Sequence, residues 1–316
     1  MGDTQRVVAA LGGNAFASRT GELTMAGQFE LASAALQALS PLLQPRVQLL
    51  LAHGNGPQVG YILTRAEAAL GAAYALPLSV CVAESEGELG YVLLQSLHNV
   101  LSELGIERPV ASLLTQVLVS PGDPAFAAPS KPIGPVIAAD RAEALRSRGF
   151  AVAEDRGRGL RRVVPSPEPL EVLDAALLAR VLEMGAVVVA AGGGGIPVVR
   201  EGGRLRGVAA VVDKDLTAAL LAAALGAERL LILTDVPCAY RDFGTGRQAP
   251  LHELTPTQVR ALAAEGHFPA GSMGPKMEAA ARFASAPGRS ALICDPPSLA
   301  AALRGEAGTR VTVEAP

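Results

Sequence analysis

The stretch LLLAHGNGPQVG, residues 49–60, changes character at His53. Leu49–Ala52 is an unbroken apolar run, the pattern of a strand buried on both faces in a parallel sheet. Gly54-Asn55-Gly56-Pro57 stops it, and from Gln58 to Leu70 the pattern is helical. The turn between them has two residues without a Cβ, so its backbone can bend sharply and approach a ligand closely.

The same punctuation recurs along the chain. Apolar runs predict strands at Arg6–Leu11, Val47–Ala52, Leu78–Val82, Pro109–Val119, Ala186–Ala190 and Leu230–Leu233, with late strands at Ser290–Cys294 and Arg310–Val313. Between them, helices are predicted at Phe29–Leu43, Gly87–Leu104, Leu170–Glu183, Val211–Leu225 and Gly274–Ala284. Strand–helix alternation of this kind implies a parallel sheet with helices on both faces. Residues about 120–165 differ: SPGDPAFAAPSKPIGP is dense in Pro and Gly, and EDRGRGLRRVVPSPEP in Arg. Only a short helix, about Ala139–Ser147, lies between them, so the segment reads as an inserted flap or subdomain.

Composition narrows the class. The 316 residues are 50% hydrophobic and 18% charged, and a chain of this size buries roughly three quarters of its unfolded surface. A formal charge of −3 without a basic cluster argues against nucleic acid as a partner. Cys81, Cys238 and Cys294 form no CxxC pairing, so neither zinc nor a disulfide framework is expected, and reduced thiols suit the cytoplasm. MGDTQRVVAALGG runs into the first strand without a signal-peptide pattern. Stretches such as TAALLAAALG are too short to span a bilayer.

Three glycine turns, LGGNA, HGNGPQ and AGGGGIP, follow strand ends and so share one sheet edge. Bare backbone N–H groups there, helped by helix N-termini, make an anion nest, and a phosphate-bearing ligand is expected. The usual fingerprints nevertheless fail. Gly271–Lys276 has the wrong spacing for GxxxxGK[ST], Gly60 falls one position late for GxGxxG, and Ala83 breaks the GxSxG match around Ser85.

Taken together, ALGGNA, HGNGPQVG, TQVLV, DPAF, KPIGP, GRGLRRVVPSPEP, AGGGGIPV, DKD, LILTDV and EGHFPAGSMGPKMEAA strongly resemble the carbamate kinases of the amino-acid-kinase fold, in order from about Val7 onward. The resemblance implies a three-layer αβα sandwich with a central mostly parallel sheet, forming one domain over residues 1–316. Residues about 1–190 would be the acceptor-binding lobe, with 120–165 as a small protruding subdomain, and about 191–316 the nucleotide-binding lobe. It further implies a cytoplasmic homodimer, active in arginine metabolism, exchanging a phosphoryl group between ATP and carbamate to give ADP and carbamoyl phosphate.

Carbamate attacks through an oxygen that is already anionic, so no general base is required. Transfer then rests on positioning and charge neutralisation. The chain has three lysines, Lys131, Lys214 and Lys276, each within a motif of the resemblance. The family match assigns catalytic roles to these and to Asp215, which orients the lysines; helix capping by Asp213 or Asp215 is the alternative reading of DKD. The match places acceptor and phosphoryl against Gly12, Gly13, Asn14, Gly54, Asn55 and Gly56. Nucleotide would meet Lys214, Thr234, Asp235, Val236, Tyr240, Met273, Gly274 and Lys276, with Mg²⁺ carried by ATP rather than by protein ligands. His53 reads as structural, and GRGLRR is given no catalytic role. One departure is Glu86 in AESEGELGY, where the family usually carries Gln; a carboxylate lining the acceptor pocket would repel an anion. Two other readings stay open: a kinase of another small acid on the same fold, and an inactive nucleotide-binding regulator.

Overall fold

Eight strands form the central sheet of the computed structural model, which describes residues 4–12, 24–155, 159–269 and 271–313. Gln5–Leu11 lies in the middle, parallel to Val47–His53 on one side and Arg229–Leu233 on the other. Val187–Val189 and Val110–Ser112 continue the sheet beyond Val47–His53; Ser290–Cys294, Thr309–Thr312 and Glu253–Leu254 continue it beyond Arg229–Leu233. The last two run against the rest. Leu11 pairs with both His53 and Leu233, so the three central strands end level and release their loops at one edge.

Alternation along these strands builds two cores. Val7, Ala9, Leu11, Leu49 and Leu51 face the helices Met25–Ala38, Leu78–Glu103 and Leu299–Leu303. Val8, Ala10, Leu50 and Ala52 face Ala175–Glu183, Lys214–Ala224, Pro256–Ala264 and Met273–Phe283. The result is the expected αβα sandwich. Leu49, Leu50 and Leu51 are fully buried, and each such leucine contributes about 1.5–3 kcal/mol relative to exposure.

Several expected elements differ. Leu78–Val82 is not a strand but the first turns of the 26-residue helix Leu78–Glu103, entered from Pro77. Five residues, four of them apolar, are too few to show a period, and burial of Leu78, Cys81 and Val82 satisfies either reading. Pro109–Val119 is two strands, Val110–Ser112 in the central sheet and Gln116–Val119 in a second, four-stranded sheet. Leu170–Glu183 begins with the strand Pro169–Val172 of that second sheet, and its helix starts only at Ala175.

Residues around 120–165 contribute a separate three-stranded antiparallel sheet, Lys131–Ile133, Gly159–Val164 and Val152–Asp155, with the helix Ala139–Ser147. It docks on the helix Gly56–Ala68. The Gly134 N–H donates to the Gly56 carbonyl at 2.9 Å, and Arg162 meets Glu67 at 2.6 Å. At Gly60 the approach is so close that a Cβ would lie 2.0 Å from the Gly134 Cα.

Candidate active site

A cavity of about 450 Å³ opens at the carboxyl edge of the sheet, where ligands bind in open α/β folds. On one wall are Gly12, after the central strand, and Gly54, Asn55 and Gly56, which lead into the helix Gly56–Ala68. Among the described residues no side chain caps that helix, and the Asn55 Nδ2 donates to Ser85 Oγ at 2.7 Å. An uncapped N-terminus leaves backbone donors and the positive end of the helix dipole for an anion.

The lining also includes Asp213, Lys214 and Asp215 at the start of a helix, with Met273 and Lys276 on another. Asp213 caps its helix: its Oδ1 accepts the N–H groups of Asp215 at 2.9 Å and Leu216 at 3.4 Å. Its other oxygen lies 2.5 Å from Lys131 Nζ, which arrives from the separate three-stranded sheet. Asp215 spans the remaining lysines, 2.5 Å from Lys214 and 2.9 Å from Lys276. All three lysines of the chain therefore meet in one place, three ammonium groups against these two carboxylates.

Burial sets the charges. It pulls the Lys214 ammonium down to about 8, against the opposing pull of Asp215. Lys276 is buried as well, yet Asp215 outweighs that effect and holds it above the ordinary lysine value. Burial alone would raise Asp215, but Lys214 and Lys276 hold it well below the usual carboxylate range. His53, buried at a strand end, falls to about 4 through desolvation, with the Gly54 carbonyl opposing and Lys214 assisting. It is neutral at pH 7 and lies outside the cavity lining, which fits its structural reading.

Thr234, Asp235, Val236 and Tyr240 also line the cavity, Thr234 beside Gly12, where a Cβ would lie 4.0 Å from the Thr234 Cα. The Tyr240 and Phe243 rings lie 5.7 Å apart, offering an apolar face. Gly274 does not line the cavity; its N–H is used by the Pro269 carbonyl at 2.9 Å. Gly13 and Asn14 fall outside the described residues. Glu86 also stays off the lining: it is 3% exposed and accepts the Thr115 N–H at 2.9 Å. The feared repulsion of an anionic acceptor thus has no carboxylate facing the cavity from this position.

Sequence reasoning missed three participants. Asp213 was legible as a cap but not as the partner of Lys131, 82 positions away. Arg161 lines the cavity while donating to the Gly134 carbonyl and pairing with Asp155 at 2.7 Å. Gly193 also lines it, and its signal was already present in the tetraglycine run.

Sheet-edge turns, an uncapped helix N-terminus and clustered lysines around one cavity define a phosphate-handling α/β protein. Residues 5–295 match the amino acid kinase family, and the chain belongs to that family. It is 42% identical to a carbamate kinase of Pyrococcus horikoshii, across 98% of this chain and 99% of the relative. The structure of the carbamate kinase from Giardia lamblia bound to citric acid superposes with a TM-score of 0.92 at 38% identity, covering 98% of each chain. The same enzyme bound to AMP-PNP gives 0.89 at 37% identity, again over 98% of both chains.

Proposed function

We propose that the chain catalyses reversible phosphoryl transfer between ATP and carbamate, giving ADP and carbamoyl phosphate by direct in-line displacement. The observation that carries this reading is the convergence of Lys131, Lys214 and Lys276 on the cavity that Gly54-Asn55-Gly56 also lines. Full-length similarity to carbamate kinases, one of them solved with AMP-PNP, supports it.

The acceptor and the phosphoryl group lie against Gly12 and Gly54–Gly56, and nucleotide occupies the end lined by Thr234, Asp235, Val236, Tyr240 and Met273. The lysines neutralise the charge that spreads over the equatorial oxygens during transfer, and Asp215 keeps Lys214 and Lys276 aimed. Carbamate is already anionic, so no side chain has to remove a proton. A kinase acting on ATP employs a divalent cation, here Mg²⁺. Asp213 and Asp215 are both engaged by lysines, so the nucleotide's own phosphates are its main holder. Residues about 1–190 then serve the acceptor and about 191–316 the nucleotide, with 120–165 delivering Lys131. The enzyme works as a cytoplasmic homodimer; reduced, buried cysteines and the family resemblance support this.

ATP formation from ADP and a panel of acyl phosphates tests the reading. Turnover with carbamoyl phosphate, well above acetyl phosphate or acetylglutamyl phosphate, is the expected result. Preference for one of the others would move the chain to another acceptor, and ADP binding without turnover would make it a regulator.

A further inference from the structure

Two adjacent polar residues of the long helix, Ser85 and Glu86, are buried, lie off the cavity lining and take no part in the chemistry above. Ser85 Oγ accepts from Asn55 Nδ2 at 2.7 Å and donates to the Val82 carbonyl. Glu86 Oε2 accepts the N–H of Thr115, a fully buried residue. Thr115 in turn grips both ends of the tetraglycine turn. Its Oγ1 accepts from the Ala191 N–H at 2.9 Å, and its carbonyl accepts from the Ile196 N–H at 2.8 Å. The two glycine turns also press on each other. Gly193 has a φ of +65°, and a Cβ there would lie 2.0 Å from Asn55 Nδ2. A Cβ at Gly192 would lie 3.0 Å from Glu86 Cγ.

We propose that Glu86, with Ser85 beside it, is a positioning residue that sets the HGNG and AGGGG turns relative to each other across the cavity wall. The proposal rests on the phosphoryl-transfer reading only for the ligand that those turns hold. A carboxyl suits the role if it is neutral, since it then accepts from Thr115 without placing negative charge behind an anion site. Burial pushes the Glu86 carboxyl well above the ordinary carboxylate range, against the opposing hydrogen bond from Thr115, and Asp174 adds to the rise. The titratable groups around it are Asp174 on the neighbouring helix start and His53 on the strand, itself neutral at pH 7. Among the described residues Glu86 Oε1 has no hydrogen-bond partner, so an ionised carboxylate would have only the Thr115 N–H to offset its burial.

Glu86→Gln and Glu86→Ala, compared with the wild type, decide the matter. The amide can still accept from Thr115, whereas alanine leaves that buried N–H unsatisfied and the turn free to shift. Glu86→Ala should lower kcat with carbamoyl phosphate by about 10–100-fold, the penalty typical of a small misplacement of reacting groups, with little change in KM for ADP. Glu86→Gln should restore most of that loss. Thermal unfolding supplies a readout independent of turnover. A carboxyl with a raised folded pKa stays protonated while the unfolded chain ionises, so its contribution falls as pH climbs out of the ordinary carboxylate range and levels off above the folded value. The Tm of Glu86→Gln should therefore gain on the wild type as pH rises above the ordinary carboxylate range. Wild-type kinetics in a folded Glu86→Ala protein would overturn the proposal, as would equal impairment of both variants or parallel Tm curves for Glu86→Gln and wild type. A wild type that forms no ATP would refute the proposed reaction instead, and the Tm comparison would still judge Glu86.

Discussion

Lys131 Nζ lies 2.5 Å from Asp213 Oδ2 and so ties the three-stranded sheet around residues 131–164 to the first turn of the helix that presents Lys214 and Asp215. Asp213 also caps that helix with its other oxygen. One carboxylate thus serves both the local helix and a long-range contact.

These two duties can be separated. Asp213→Ala should lose about 0.5–2 kcal/mol of stability with the cap and release Lys131. Asp213→Ser keeps a capping oxygen but not the ion pair, so denaturant unfolding should show most of the stability restored while turnover remains low. Equal recovery of both would mean that the Lys131 contact is idle.

Lys214 makes the rate sensitive to alkali. Its ammonium form persists below a pKa lowered to about 8 and is lost as pH rises through that value. In the proposed mechanism the charged form neutralises the phosphoryl oxygens, so kcat/KM for carbamoyl phosphate should fall above about pH 8. In Lys214→Arg that fall should disappear, because guanidinium does not titrate there, but the maximum should stay low: a planar fork replaces a compact ammonium poorly. A wild-type profile flat to pH 10 would count against this role.

Asp215→Asn leaves two buried ammonium groups without their carboxylate. Breaking one partner out of a buried pair costs about 3–5 kcal/mol, and the Lys276 pKa should drop from its raised value. The carboxyl is held low in the folded state, so its stabilisation is present above the ordinary carboxylate range and lost as pH falls through the depressed folded value. The carboxylate's own share of the gap between wild type and Asp215→Asn should accordingly be lost only as pH falls below the ordinary carboxylate range, while the weakened lysines of the variant widen the gap as pH drops through neutrality. A gap that closes between pH 7 and 5 would contradict the assignment.

The close approach at Gly60 tests the separate sheet without deleting it. Gly60→Ala brings a Cβ to 2.0 Å from Gly134 Cα, which must push the KPIGP strand and Lys131 away. ADP binding by calorimetry should survive, since the residues proposed to hold it, Thr234, Asp235, Val236, Tyr240 and Met273, lie outside the three-stranded sheet, while turnover falls. Unchanged turnover would show that Lys131 need not hold its position.

The fold was readable where period and punctuation agreed. Ser290–Cys294 and Ala139–Ser147 appear within the bounds that their apolar runs and flanking residues suggested. Reading failed where a short apolar run fits two structures, as at Leu78–Val82, whose long helix becomes evident only through its packing. Two signals were present and passed over. Gly202-Gly203 is a two-residue hairpin turn between Ile196–Glu201 and Arg204–Gly207, and Thr255 with Gln258 forms a capping box for Pro256–Ala264. The site was legible through its rare lysines, because a chain that uses arginine on its surface leaves each lysine conspicuous. Its long-range pairings were not, since nothing local to Lys131 announces Asp213.

In the proposed mechanism, lysine charge at the transferring phosphoryl group carries the catalysis. Losing one such donor commonly costs about 10²–10³ in rate, or roughly 3–4 kcal/mol. ATP formation from ADP and carbamoyl phosphate with Mg²⁺, measured for wild type and Lys214→Ala in parallel with ADP binding, tests it most directly. The expected result is an active wild type and a fall of that size in a folded variant that still binds ADP. A Lys214→Ala protein retaining more than about a tenth of wild-type turnover, a loss below about 1.4 kcal/mol, would contradict it.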